Sequence, residues 1–332
     1  MTSRGDRPPE GGHRRDERRL HICMGEVCNN NCLFCMDKGG RLRQRHLELI
    51  NPEETLRFME ENRDLGEILF TAGEPTLHED LVRYIGHARR LGFYRIGLIT
   101  NGRRLAYHAY AEGLLRAGLN SVVLSIHGHQ ARLHDGQTRT PGSFEQTAAG
   151  LRTLSDLKAG WELHLSTSTV VNRRNVPHLD GILAFLLAFP LDQIVLNAVQ
   201  PLGRTADLFN QLVPRYSEIV DALSVALEHV PEDQRARIRL LDVPPCLLTR
   251  LPEETRGWVE EHQHFERRGG LPRGLGDAAL RKGTRGVVRK KDFDAIQRAF
   301  GPPCEGCPLR PRCDGVWRRY AEEYGWDEFG AP

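Results

Sequence analysis

Residues 20–35 read Leu20-His21-Ile22-Cys23-Met24-Gly25-Glu26-Val27-Cys28-Asn29-Asn30-Asn31-Cys32-Leu33-Phe34-Cys35. The first five residues form a short apolar run of the kind that makes a buried strand. A glycine ends the run, and three cysteines at spacing x3 and x2 follow. Three thiols in one loop at the end of a strand point to a metal centre. A [4Fe–4S] cluster normally takes four Cys ligands, so three local ones leave one iron open to a substrate or cofactor. Structural zinc is the rival reading, with Cys23, His21 or His46 as the fourth ligand.

Outward from this stretch, apolar runs alternate with helical patterns up to about residue 243. Strands are predicted at Leu20–Met24, Glu67–Ala72, Tyr94–Thr100, Ser121–His127, Glu162–Val171 and Gln193–Val199. Helices are predicted between them. Pro52–Asn62 has Asn51 as its N-cap, and Glu79–Leu91 and Arg104–Ala117 stop at Gly92 and Gly118. Ser143–Ala159 opens with Ser143 and Gln146 at capping-box spacing. Asn175–Phe189 and Pro214–His229 complete the set. Repeated strand–helix units imply a parallel sheet with right-handed crossovers. The expected fold is therefore α/β, a partial (βα)6 TIM-type barrel, with an open doubly wound sheet as the alternative. Ligands then belong at the carboxyl ends of the strands. The cysteine loop, Ala72–Thr76, Asn101–Gly102 and His127–Gly128 all fall there.

The 332 residues carry a formal net charge of +2, with 39% hydrophobic and 27% charged residues. That balance gives no reason to expect a nucleic-acid partner. The longest apolar run, Ile182 to Phe189, is too short to span a bilayer, so no membrane partner is expected. Residues 1–18 are polar and Arg-rich, lack the apolar centre of a signal peptide, and read as a disordered tail. The expected location is cytoplasmic, where grouped cysteines serve as metal ligands rather than disulfides. The six Arg and Lys residues of Arg281–Lys291 read as a solvated loop or as a contact for an acidic peptide.

The motifs taken in order resemble the radical S-adenosylmethionine superfamily. Its signature is C-x3-C-x2-C with an aromatic before the last cysteine, here Phe34. Ala72-Gly73-Glu74-Pro75-Thr76 is similar to the family's GGEP motif, with Ala72 in place of the first glycine. Thr100-Asn101-Gly102 matches the family's TNG. Ser125-Ile126-His127-Gly128, His134-Asp135 and Pro141-Gly142-Ser143-Phe144 resemble the stretch after strand four in members with extra clusters. The resemblance covers residues 20 to about 200. It implies that Cys28, Cys32 and Cys35 hold a [4Fe–4S] cluster whose open iron is chelated by S-adenosylmethionine. It also implies that the backbone of Gly73, Glu74 and Pro75 receives the methionine amino group. Asn101, Ser125 and His127 are placed by it around the cofactor, and Phe34 near the adenine. Reductive cleavage to a 5′-deoxyadenosyl radical and hydrogen abstraction from substrate would follow, with an electron donor such as flavodoxin or ferredoxin. Each position also has a plainer reading: Cys23 as a buried thiol, Glu74 as a turn acid, Ser125 as a strand-end residue, and Asn197 and Arg139 as structural.

Residues 244–332 change character, with many Pro, Gly and Arg and little apolar periodicity. They hold Cys246 and then Cys304-x2-Cys307-x5-Cys313, a complete set of four thiols. Spacing alone leaves zinc and iron–sulfur equal here. The resemblance implies iron, as one auxiliary [4Fe–4S] cluster in a SPASM- or twitch-like extension. By analogy with cluster-extended relatives the expected substrate is a ribosomally made peptide. A small molecule or cofactor precursor is the enzyme alternative, and a non-catalytic zinc-stabilised binding protein is the rival from another class.

Overall fold

The computed structural model describes residues 19–25, 27–36, 52–251 and 297–330. The tail at 1–18, His46, Asn51 and the basic run at 281–291 lie outside the described residues. Seven parallel strands line up in sequence order. They are β1 (Leu20–Cys23), β2 (Glu67–Thr71), β3 (Arg95–Thr100), β4 (Ser121–Ser125), β5 (His164–Val171), β6 (Gln193–Ala198) and β7 (Ile238–Leu241). Neighbours pair in register, with Cys23 opposite Thr71 and Ser125 opposite Ser168. The two edges, β1 and β7, do not pair, so the barrel stays open.

The helices follow their strands: α1 (Pro52–Glu61), α2 (Leu81–Leu91), α3 (His108–Ala117), α4 (Ala131–Thr138), α5 (Ser143–Lys158) and α6 (Leu179–Leu187). Two single turns, α7 (Arg204–Asp207) and α8 (Phe209–Leu212), precede α9 (Tyr216–Glu228) and the short α10 (Glu232–Arg235). The alternating side chains of each strand sort by face. Ile96, Leu98, Val122, Leu124, Ile194 and Leu196 are buried against Leu81, Ile85, Leu114, Leu151 and Ile182 of the helices. Their alternates Ser125, Ser168 and Asn197 are half-buried on the barrel-facing side.

The expected α/β barrel is present, with seven strands in place of six. The extra strand has four residues and carries Arg239 in its middle, which masks its apolar pattern. The expected capping box of α5 does not form. Gly142 occupies the cap position, and Asp135 of α4 supplies the acceptor for Gly142 N (2.7 Å), Phe144 N (2.7 Å) and Ser143 Oγ (2.8 Å). Gln146 instead accepts from Arg103 Nε at 2.6 Å. A tertiary acceptor thus does the work assigned to Ser143.

The described C-terminal residues form a two-stranded antiparallel pair, β8 (Arg298–Ala299) with β9 (Val316–Trp317), and then α11 (Arg318–Tyr324). Val316, Trp317, Tyr320 and Phe329 join the same apolar core as the barrel. Polar bonds fasten the piece. Tyr216 N donates to Tyr320 Oη (2.8 Å), Ser217 N to Glu328 Oε2 (3.0 Å), and Tyr324 Oη to Val213 O (2.6 Å). Arg298 Nη2 meets Asp242 Oδ1 at 2.6 Å, with both side chains largely buried, and its guanidinium lies 4.0 Å from the Trp317 ring centre. Asp242 also accepts from Gln200 Nε2 at 2.6 Å, which ties β7 to the loop after β6.

Candidate active site

The loop after β1 lies across the end of β2. Met24 N donates to Thr71 O (2.7 Å), and Glu74 N donates to Val27 O (2.8 Å). Gly73 sits directly beneath this crossing with φ +56°. A Cβ on it would stand 2.5 Å from Gly25 O and 2.7 Å from Val27 O, both backbone atoms that cannot swing aside. Ala72, which stands where the family pattern has glycine, takes the left-handed φ of 65° that glycine would adopt without strain.

Glu74 is buried, and its carboxylate accepts four hydrogen bonds. Thr76 N (3.1 Å), Thr76 Oγ1 (2.6 Å) and Thr100 Oγ1 (2.6 Å) reach Oε1, while Asn101 N (2.7 Å) reaches Oε2. The side chain therefore ties the end of β2 to the end of β3, and its role as a turn acid on the surface is ruled out by burial. Asn101 then turns its carboxamide toward the cysteine loop. Its Oδ1 accepts from Arg103 N (3.1 Å), and its Nδ2 lies 2.6 Å from Asn29 Oδ1 and 4.0 Å from Cys28 Sγ. Helix α5 closes on this turn because Gly150 has no Cβ to strike Gly102 O, and Thr147 Oγ1 donates to Asn101 O (2.9 Å).

Two arginines hold the cysteine loop from opposite sides. Arg204, in the turn after β6, donates through Nη1 to Asn31 O (3.1 Å), Asn31 Oδ1 (3.0 Å) and Cys32 O (2.7 Å). Arg103, after β3, reaches Asn29 O and Asn30 Oδ1. The end of α4 adds Asn31 N to Thr138 O and Leu33 N to Gln137 O, both 2.9 Å. These contacts leave Cys28, Cys32 and Cys35 half-buried and outside any disulfide, and Cys28 Sγ also accepts from Asn30 N at 3.4 Å. Two guanidinium charges on one loop suit a segment that carries thiolates.

Phe34 is buried and meets His127 edge to face at 4.6 Å between ring centres. His127 N donates to His134 Nδ1 (3.1 Å), and His127 Nδ1 accepts from Val170 N (3.2 Å). That acceptor role puts the ring proton of His127 on Nε2. Burial first, and then His134, hold the His127 pKa well below the ordinary histidine value, so the ring is neutral. Burial likewise brings His134 down to about 4. Gln137 Nε2 (2.6 Å) and Asn175 Nδ2 (3.1 Å) both donate to His127 O. Ser125 ends β4 on the barrel-facing side, and Asn197 Nδ2 donates to Ser168 Oγ at 2.7 Å on the same side. Arg139 caps the end of α4 with φ +52°, a structural post. Sequence reading missed Arg103, Arg204, Gln137, Thr147 and Asn175. For Arg103, Arg204 and Asn175 the position past a strand end was the available signal, whereas Gln137 and Thr147 lie within α4 and α5 and carry none.

In the C-terminal region Cys246, Cys304, Cys307 and Cys313 line one pocket, walled by Pro245, Phe300, Val316 and Phe329. Reverse turns aim them, with Cys307 N on Cys304 O (3.3 Å) and Cys313 N on Arg310 O (3.1 Å). Gly315 N donates to Cys313 Sγ at 3.3 Å. Burial pushes the Cys246 thiol up. Among the described residues no three His, Cys, Asp or Glu side chains converge to hold a single metal ion.

An open parallel barrel with a three-cysteine loop over the end of its first strand defines the class. Residues 22–186 match the profile described as "Radical SAM superfamily", and the chain belongs to that superfamily. Among curated relatives, a "Probable GTP 3',8-cyclase" of Sulfurisphaera tokodaii is 28% identical over 192 residues, 57% of this chain and 58% of that protein. One of the same name from Saccharolobus islandicus is 27% identical over 186 residues, 55% of this chain and 58% of its own. The chain thus spans little more than half the length of these relatives. Among solved structures, Streptococcus suis SuiB bound to precursor peptide SuiA superposes with a TM-score of 0.63 over 95% of this chain and 75% of that one, at 13% identity.

Proposed function

We propose that this chain is a radical S-adenosylmethionine enzyme with a [4Fe–4S] cluster at Cys28, Cys32 and Cys35. The observation that carries the proposal is the cysteine loop itself. It is held from three sides and seated on Gly73, where a Cβ would collide, and it carries three half-buried thiols that form no disulfide. When bound there, the cluster supplies the electron that splits S-adenosylmethionine into methionine and a 5′-deoxyadenosyl radical. The match of residues 22–186 to the radical SAM profile favours a multi-iron cluster over zinc at these three thiols. Cys246, Cys304, Cys307 and Cys313 line one pocket and make up the four thiols that an auxiliary [4Fe–4S] cluster takes.

The residues around the loop divide the remaining tasks. Backbone at Gly73–Pro75 lies beside the loop and offers polar groups to the methionine end of the cofactor. Phe34 and neutral His127 give an apolar wall that keeps water from the reacting atoms. Ser125, Ser168 and Asn197 present uncharged hydrogen-bonding groups to a substrate in the barrel. For the substrate we favour a small polar molecule of the nucleotide or cofactor-precursor kind, since the curated relatives at 27–28% identity carry the GTP cyclase name. A peptide, the first expectation from sequence, is the second reading, favoured by the fold likeness to SuiB over 95% of the chain.

The test is anaerobic reconstitution followed by dithionite and S-adenosylmethionine. 5′-Deoxyadenosine should form, and Cys32→Ala should abolish it. Candidate substrates are then ranked by deuterium transfer into 5′-deoxyadenosine: transfer from labelled GTP supports the small-molecule reading, and transfer from a labelled peptide replaces it. Absence of 5′-deoxyadenosine from the iron-loaded wild type would overturn the proposal.

A further inference from the structure

We propose that Asn101 is a positioning residue for the cluster, which presents a carboxamide N–H to the Cys28 sulfur and so raises the reduction potential. The inference rests on the reading of Cys28 as a cluster ligand. Its basis is the way the amide is locked. Glu74 Oε2 takes the backbone N–H of Asn101 at 2.7 Å, and Thr147 Oγ1 holds its backbone carbonyl at 2.9 Å. Arg103 N donates to Oδ1 at 3.1 Å, which settles which end of the amide is oxygen. The NH2 end must then face the cysteine loop. One hydrogen serves Asn29 Oδ1 at 2.6 Å, and the nitrogen lies 4.0 Å from Cys28 Sγ. Glu74 cannot drift, because three further donors pin it to Thr76 and Thr100.

The contact is long for a neutral thiol, and a thiolate is the stronger acceptor that draws such donors in. Hydrogen bonds to the sulfurs are among the factors that set cluster potentials. The direction follows from charge. One-electron reduction adds negative charge to the irons and their thiolates, and a donor aimed at a thiolate stabilises the more negative state. Removing the donor therefore makes the cluster harder to reduce. Asn101→Asp is nearly isosteric but puts an acceptor where the NH2 was, so it should shift the potential further in the same direction.

The experiment is an anaerobic redox titration of the reconstituted full chain, read by electron paramagnetic resonance. The signal of interest is the one that shifts when S-adenosylmethionine is added, which separates it from an auxiliary cluster. At a fixed poise, Asn101→Ala should lower the reduced-to-oxidised ratio by roughly threefold to tenfold, tenfold being about 59 mV for a one-electron couple. Asn101→Asp should lower it more. If Asn101→Ala fails to load iron, the Asp variant carries the test. Loaded Asn101 variants at the wild-type potential would overturn the inference and leave the cluster reading intact. A wild type with no signal that responds to S-adenosylmethionine would overturn both.

Discussion

Glu74→Gln changes one oxygen and one charge in a carboxylate that four donors share. Oε1 accepts three of them and Oε2 accepts Asn101 N–H. The least costly amide orientation keeps the oxygen on Thr76 and Thr100 and turns the NH2 against Asn101 N–H. One charge-assisted bond is then lost, worth about 1.5–3 kcal/mol, and a buried N–H is left without its acceptor at about 1–3 kcal/mol. The two figures overlap, since both count the loss of the same bond, so about 3 kcal/mol is expected, which lowers the melting temperature by roughly 6–12 °C in a domain of this class. Thermal unfolding of the metal-free protein, followed by circular dichroism, isolates this term from any cluster. Thr100→Val removes one donor to the carboxylate and also the acceptor of Gly102 N (3.0 Å), so it should cost about 2–4 kcal/mol. The pair should couple, because both act on one carboxylate. A Glu74→Gln melting temperature within about 2 °C of wild type, about 0.5–1 kcal/mol, would refute the reasoning.

Three further outcomes are expected. His134 is held at about 4 by burial against an ordinary 6.5, so the unfolded chain takes up that proton first as pH falls. Stability is complete above pH 6.5 and is lost down to about 4, roughly 3 kcal/mol from this group. His134→Gln should flatten that stretch of the pH–stability curve. Gly73→Ala should push the cysteine loop off the end of β2, so iron is lost from the first site while the C-terminal cysteines keep theirs, read by iron analysis beside a Cys304→Ala control. Arg298→Ala strands the largely buried Asp242 carboxylate at a cost of about 3–5 kcal/mol, and limited proteolysis should then cut the C-terminal region first.

Much of this was legible because the informative residues are local. Six strands announce themselves as apolar runs, and Gly92 and Gly118 stop α2 and α3 where the sequence places them. The cysteine spacing and the Gly73–Pro75 turn mark the candidate site, and the structure brings the two segments together. What escaped is long-range. Glu74 looks like a turn acid until Thr100 and Asn101 arrive from 26 and 27 residues away. Arg204 sits 172 residues beyond Cys32, and no local pattern marks it as the clamp on the loop. Asp135 takes the cap of α5 from Ser143 by the same route, since a tertiary carboxylate outbids a local hydroxyl. The four C-terminal cysteines were legible as a set, but only folding brings Cys246 to the cavity that the other three line.

The most direct test of the central claim is electron paramagnetic resonance of the anaerobically reconstituted, dithionite-reduced protein with and without S-adenosylmethionine. The account predicts a reduced-cluster signal whose shape changes on adding the cofactor, and which disappears in Cys28→Ala while the signal of the C-terminal site persists. A protein that binds zinc at both cysteine groups and shows no such signal would contradict it.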